Sequence, residues 1–343
     1  MRRFDWAMAL AGYWTIAGLY TDAGWHIRHD VDTFFTWAHA LLYSGLLLLL
    51  YLIGSRYAGA RRRNETLSAA LGPAYWWSAV GVLVFLLGGM ADMINHLFFG
   101  FEAGFDALLS PTHQVIGAGV LLIISGPIRA AVSQNPRPAT LAQQLPAIIS
   151  AAAILELMHW GTQVFFRTDA ARSLGVFVPH ELDANALTLM TIHFYQQGGS
   201  LIAVVLQSLL MMGTAFYLVR NFCLRPGALT ILFVLGNGLI AIAHSLGWLD
   251  VVSVLAASVA AGIAGDAFLA RAPAYFSSRG WFGSFAFAVP AIYAAVLFFF
   301  TVAFMGGTWW DPLFAAGTIF YAGLFSLLLS FIASVTPPRL DAA

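Results

Sequence analysis

The chain has 343 residues, of which 60% are hydrophobic and only 9% charged; sixteen arginines and no lysine balance sixteen acidic residues. An ordinary soluble domain carries about 25% charged residues, so this composition, with a mean hydropathy of +0.80, excludes one. The net charge near zero says little about partners and nothing in the sequence suggests nucleic acid; the single cysteine, Cys223, excludes an internal disulfide or a thiolate metal cluster.

Apolar stretches of about 20 residues mark membrane-crossing helices. In chain order they predict ten: 6–26, 33–55, 75–97, 108–130, 144–166, 187–218, 228–248, 251–270, 283–304 and 312–335. The expected fold is therefore an all-α polytopic integral membrane helix bundle forming a single transmembrane domain, 1–343. Within it, 1–130 holds hairpin pairs with Asp/His motifs, 140–250 degenerate pairs, and 251–336 the C-terminal helices. The opening "MRRFDWAMALAGYW" resembles a signal sequence, but Asp5 interrupts it and the apolar run continues, so it reads as an uncleaved first helix.

Arginines set the orientation. With a cytoplasmic N-terminus, thirteen of the sixteen fall inside, and only Arg28, Arg167 and Arg172 fall outside. The positive-inside rule then places both termini in the cytoplasm of a bacterial-type inner membrane. On that topology all nine histidines lie in the outer half or the outer loops. Intramembrane histidines and acids clustered on one side point to a site facing outward.

These polar residues recur in register. Asp22 and His26 close the first helix and His39 lies just inside the second; Asp92 and His96 close the third and His113 lies inside the fourth. Each aspartate–histidine pair is spaced i, i+4, so both side chains share one helix face. Asp32 and Asp106 each precede the second histidine by seven residues, and Gly45 and Gly119 each follow it by six. A third pair is degenerate, with Glu156 and His159 at i, i+3, then His193 and Gly199; a fourth keeps His244; the fifth retains the acid of "WWDPLFAAGTIFYAG". The pattern suggests repeated two-helix hairpins.

A carboxylate and two imidazoles converging from two helices make a first-row metal site. Oxygen and nitrogen ligands without thiolate suit copper, zinc or iron, and three of them leave a coordination position open. Asp22/His26/His39 and Asp92/His96/His113 are the candidate ligand sets. A hydrogen-bonded Asp–His pair that merely fixes a hairpin is the alternative. Glu156, His159, His193, His244, Asp32 and Asp106 are candidate additional ligands or proton carriers, or members of a polar packing network. With only four glutamates in the chain, a di-iron carboxylate cage is not expected.

The first set resembles the C subunit of the copper membrane monooxygenases. Asp22-x3-His26-x12-His39 matches that subunit's copper-binding spacing, with Trp25 before the first histidine and Asp32, Thr33, Phe34, Phe35 and Thr36 forming its D-T-x-F-T run. Asp92, His96 and His113 are similar in layout to its second site, with aspartate where the family has asparagine and a loop three residues longer. Val31, Trp37 and Ala38 depart from the family pattern. The resemblance implies copper, oxygen activation on a membrane-dissolved substrate, and further subunits including a cupredoxin-like copper protein. Two other readings stand beside it. One is non-catalytic copper binding, delivery or transport, for which Met90 and Met93 flank Asp92, though no histidine continues a route inward. The other is haem held by histidines on facing helices. Asp266 is expected to pair with nearby Arg271, and Asp250 and Asp311 to sit at helix entries.

Overall fold

The computed structural model describes residues 2–28, 36–100, 105–134, 139–163, 186–244, 247–271, 279–306, 310 and 312–333; the side chains of 2, 26–28, 105–106, 186–196, 244 and 279 lie outside that description. All regular structure among the described residues is helical: α1 Arg2–Arg28, α2 Trp37–Arg62, α3 Leu67–Phe99, α4 Phe105–Leu109, α5 Pro111–Ile124, α6 Gly126–Ser133, α7 Leu141–Gly161, α8 Ala186–Asn221, α9 Ala228–His244, α10 Trp248–Arg271, α11 Arg279–Phe304 and α12 Pro312–Ile332. Among the described residues eight spans are long and apolar enough to cross a membrane, α5 and α6 together counting as one. The expected ten are not reached by that measure. Tyrosine, threonine, tryptophan and Asp22 dilute α1, and α9 has only 17 residues. The chain forms two compact units, Met1–Gly161 and Thr162–Ala343.

In the first unit α1 and α2 run antiparallel, and α3 pairs with α5. Glycine sets both approaches. A Cβ on Gly18 would stand 2.6 Å from the Leu42 Cα, and one on Gly45 would stand 2.6 Å from the Thr15 hydroxyl. Likewise a Cβ on Gly119 would stand 2.6 Å from the Phe85 nitrogen, and one on Gly81 would stand 2.7 Å from the Gly119 carbonyl oxygen. The two glycines that follow His39 and His113 at equal spacing are thus the points where backbones meet, as membrane helix packing favours. Gly199, their counterpart in the degenerate pair, has nothing within 4 Å.

Helix ends follow from the sequence. Thr36 caps α2 by accepting the His39 N–H, Thr66 caps α3 by accepting the Ala69 N–H, and Gly100 ends α3 at φ 81°, a left-handed conformation that suits glycine. The break between α5 and α6 has a chemical cause. Pro127 has no N–H for the Ile123 carbonyl, which accepts from Ser78 Oγ at 3.1 Å instead. Arg129 closes the rest, donating to the carbonyls of Ala74 and Leu122, both at 2.9 Å, and to the hydroxyls of Ser78 and Ser125. In a bilayer such freed carbonyls need protein donors.

The second unit is held by polar groups that hydropathy does not reveal. Gln207 Nε2 on α8 donates to Asn237 Oδ1 on α9 at 3.4 Å and to the Tyr293 hydroxyl on α11 at 2.6 Å. Asn237 Nδ2 donates to Ser258 Oγ on α10 at 3.1 Å and to the Phe233 carbonyl at 2.9 Å. Four helices therefore share one amide network. Asp266 corrects an expectation. Its carboxylate is not spent on a local pair with Arg271; it caps α9, accepting from the N–H groups of Leu229 and Thr230, both at 3.1 Å, and from the Thr230 hydroxyl at 2.7 Å. Asp250 does lie in the first turn of its helix, α10, as expected, while Asp311 is outside the described residues.

Candidate metal centre

Asp92 lies near the C-terminal end of α3, buried, with His96 one turn further along the same face. His113 is the third residue of α5, which starts at Pro111 after Ser110. The α3–α5 pairing brings the two helix ends together, so one carboxylate meets both imidazoles: His96 Nε2 stands 3.2 Å from Asp92 Oδ2, and His113 Nε2 stands 3.3 Å from Asp92 Oδ1. One ligand atom from each of the three residues lies within 4.8 Å of the others, and the group could hold a metal ion.

The far side of each ring decides its chemistry. His96 Nδ1 is 3.1 Å from the Gly100 carbonyl oxygen, and His113 Nδ1 is 2.6 Å from the Ala107 carbonyl oxygen. A carbonyl only accepts, so each Nδ1 carries the proton. In the neutral imidazole each Nε2 then presents its lone pair toward the carboxylate. Three acceptors facing one another repel unless a cation, a proton or a metal ion, sits among them. Backbone carbonyls that hold the distal nitrogen are also the usual means of orienting a ligating histidine. The Thr112 hydroxyl donates to Asp92 Oδ1 at 2.6 Å and bonds Ser110 Oγ at 2.9 Å, which fixes the carboxylate's rotation.

The α1–α2 pair repeats part of this geometry. His39 Nε2 is 3.5 Å from Asp22 Oδ2. On its far side, His39 Nδ1 is 3.0 Å from Thr36 Oγ1, and the ring stacks against Tyr43 with centroids 6.0 Å apart and planes inclined by 16°. His26 belongs to α1, but its side chain lies outside the described residues, so the Asp22 set is described for two of its three members. Asp22 is within Coulombic reach of His113, and Tyr43 of both Asp22 and Asp92, so the two sets are neighbours within the unit.

The further candidates divide. Glu156 and His159 are fully buried in α7, which packs on α1; the Tyr20 hydroxyl donates to the Glu156 carbonyl at 2.9 Å. They do not belong to the Asp92 group. Asp32 lies outside the described residues, as do the side chains of Asp106, His193 and His244. Reading the motifs missed Thr112 and the carbonyls of Gly100 and Ala107. One signal was visible: a hydroxyl three residues before each second histidine, in "TWAH" and "SPTH", where a helix cap is expected.

Fold and site together define a helical membrane protein with an Asp/His/His group able to take a metal ion. No protein-family model matches the chain, and no curated protein or solved structure matches it.

Proposed function

We propose that the chain is a membrane copper protein whose centre is built on Asp92, His96 and His113, with Asp22, His26 and His39 as an adjoining second set. The observation that carries this reading is the pair of Nδ1-to-carbonyl contacts, which turn two Nε2 lone pairs onto one carboxylate. Imidazole and carboxylate ligands without thiolate suit copper(II), which such sites bind more tightly than the other divalent first-row ions; zinc and iron are the competitors. The first set's likeness to the monooxygenase C subunit supports the same metal. It also supports oxygen activation on a membrane-dissolved substrate, with a cupredoxin-like partner.

In that role the metal, when bound, supplies the redox chemistry. This chain's residues hold and orient it: Asp92 balances charge, His96 and His113 donate nitrogen, and Thr112 keeps the carboxylate turned toward them. The adjoining Asp22 and His39 lie at the opposite end of the α1–α2 hairpin from Arg61, Arg62 and Arg63, which under the positive-inside rule supports an outward-facing site.

The alternatives have less support. A delivery route would be lined with soft ligands, yet Met90 and Met93 are 53% and 49% exposed while Asp92 between them is buried. For haem, the Asp92 carboxylate occupies the space between the imidazoles that a porphyrin would need.

Metal analysis of the purified chain tests the proposal. Wild type should retain copper, and Asp92→Ala and His113→Ala should lose it, with no Soret band in any sample. Asp22→Ala and His39→Ala report the second set separately. Equal copper in wild type and the Asp92 and His113 variants would refute the centre.

A further inference from the structure

The opposite end of the first unit carries a different chemistry. In the α1–α2 hairpin facing residues have numbers that add to 60: Gly18 faces Leu42, Thr15 faces Gly45, and the Arg56 guanidinium lies 4.2 Å above the Phe4 ring. Continuing that register puts Arg3 level with Tyr57 and projects Arg61, Arg62 and Arg63 beyond the start of α1. Tyr75 of α3 meets the same level, with its ring 4.8 Å from Phe4 and its hydroxyl 2.6 Å from Asp5. Trp76 and Trp77 follow it directly, 40% and 51% exposed, and Tyr57 is 43% exposed.

The charges at this end do not cancel. Of the acids, buried Asp5 accepts from Tyr75, and Glu65 is held by Arg63 through two bonds of 2.9 Å. That bidentate contact keeps the Glu65 carboxyl below its ordinary range. Arg61 contacts only a neutral group among these, donating to the Tyr57 hydroxyl at 3.1 Å. Arg3 and Arg62 are exposed and make no hydrogen bond or ion pair among the described residues. Guanidinium groups match phosphate oxygens two bonds at a time, and tryptophan and tyrosine mark the headgroup level of a bilayer.

We propose that Arg3, Arg56, Arg61 and Arg62, with Tyr57, Trp76 and Trp77, form a binding site for the headgroup of an anionic phospholipid. The aromatic side chains set the depth at which the acyl chains leave the headgroup, and the unpaired guanidinium groups take the phosphodiester. An orientation signal needs only positive charge near a span; this arrangement adds an aromatic rim at one level and leaves Arg3, Arg56, Arg61 and Arg62 with no carboxylate partner among the described residues. The inference is independent of the metal centre at the other end of the hairpin.

The test uses the full chain in detergent, equilibrated with dioleoyl phosphatidylglycerol or dioleoyl phosphatidylcholine, with retained lipid read by native mass spectrometry. Wild type should prefer phosphatidylglycerol, and Arg61→Gln/Arg62→Gln should lower its affinity about 30-fold. Glu65→Gln, which frees Arg63, should raise it about fivefold. Arg61→Lys/Arg62→Lys should keep the preference for phosphatidylglycerol, and circular dichroism on every variant confirms folding. Equal retention of the two lipids, an unchanged affinity in the glutamine double variant, or displacement of phosphatidylglycerol by inorganic phosphate alone would overturn the proposal.

Discussion

The Nε2 atom of His113 stands 3.3 Å from Oδ1 of Asp92, across the gap between the start of α5 and the end of α3. That contact joins residues 21 positions apart and makes a ligand set of what would otherwise be an i, i+4 pair on one helix. His39 and Asp22 stand in the same relation, 3.5 Å apart, between α2 and α1.

If Thr112 holds the Asp92 carboxylate in its productive rotation, removing its hydroxyl should weaken the metal without removing a ligand. Thr112→Val keeps the shape of the side chain, and copper affinity measured by competitive titration should fall about tenfold. An unchanged affinity would show that the hydroxyl does not position the carboxylate for the metal.

Metal bound to the folded chain alone must also stabilise it. Copper at a free concentration of about 100 times its Kd should raise the unfolding free energy by roughly 2.7 kcal/mol. A chelator should reverse the shift, and His96→Ala should abolish it. Thermal denaturation followed by tryptophan fluorescence reads both; a shift that persists in His96→Ala would place the ion elsewhere.

Close backbone contact makes Gly119 intolerant of a methyl group. Its Cβ would lie 2.6 Å from the Phe85 nitrogen, and backbone cannot rotate away as a side chain can. Gly119→Ala should cost about 1–3 kcal/mol and displace α5, which carries His113, so melting temperature and copper affinity should fall together. Gly199→Ala, in open space, should leave both unchanged and serves as the control.

In the second unit the Asp266 carboxylate satisfies the first N–H groups of a neighbouring helix. Asp266→Ala should destabilise by about 1–2 kcal/mol, seen as faster amide exchange at Leu229 and Thr230. Protection as in wild type would show that water or another group replaces the cap.

Asn237 is the member of the amide network bonded to both Gln207 and Ser258. Asn237→Leu removes one of the two acceptors of the Gln207 amide, leaving only the Tyr293 hydroxyl, in an apolar interior, which should cost about 1–3 kcal/mol. In Asn237→Leu/Gln207→Leu both polar partners are gone, so part of that loss should return. If the double variant unfolds at a lower temperature than Asn237→Leu, the network does not act as a unit.

Much of this protein could be read from one dimension, because helix formation and membrane insertion depend on neighbours a few residues apart. Apolar runs located most of the helices, and the i, i+4 spacing put Asp92 and His96 on one face, although the run 108–130 was read as one span and not as α5 and α6. The recurrence of Gly45 and Gly119 after each second histidine was visible too, although its reason, a backbone crossing, was not. What the tertiary structure alone decided depends on the register between helices, which no local pattern carries. It chose the Gly100 and Ala107 carbonyls to turn two imidazoles toward one carboxylate, gave Asp266 to α9 instead of Arg271, and gathered Gln207, Asn237, Ser258 and Tyr293 from four helices. Side chains far apart in the chain meet only when helices have packed, and in a bilayer each buried polar group must find such a partner.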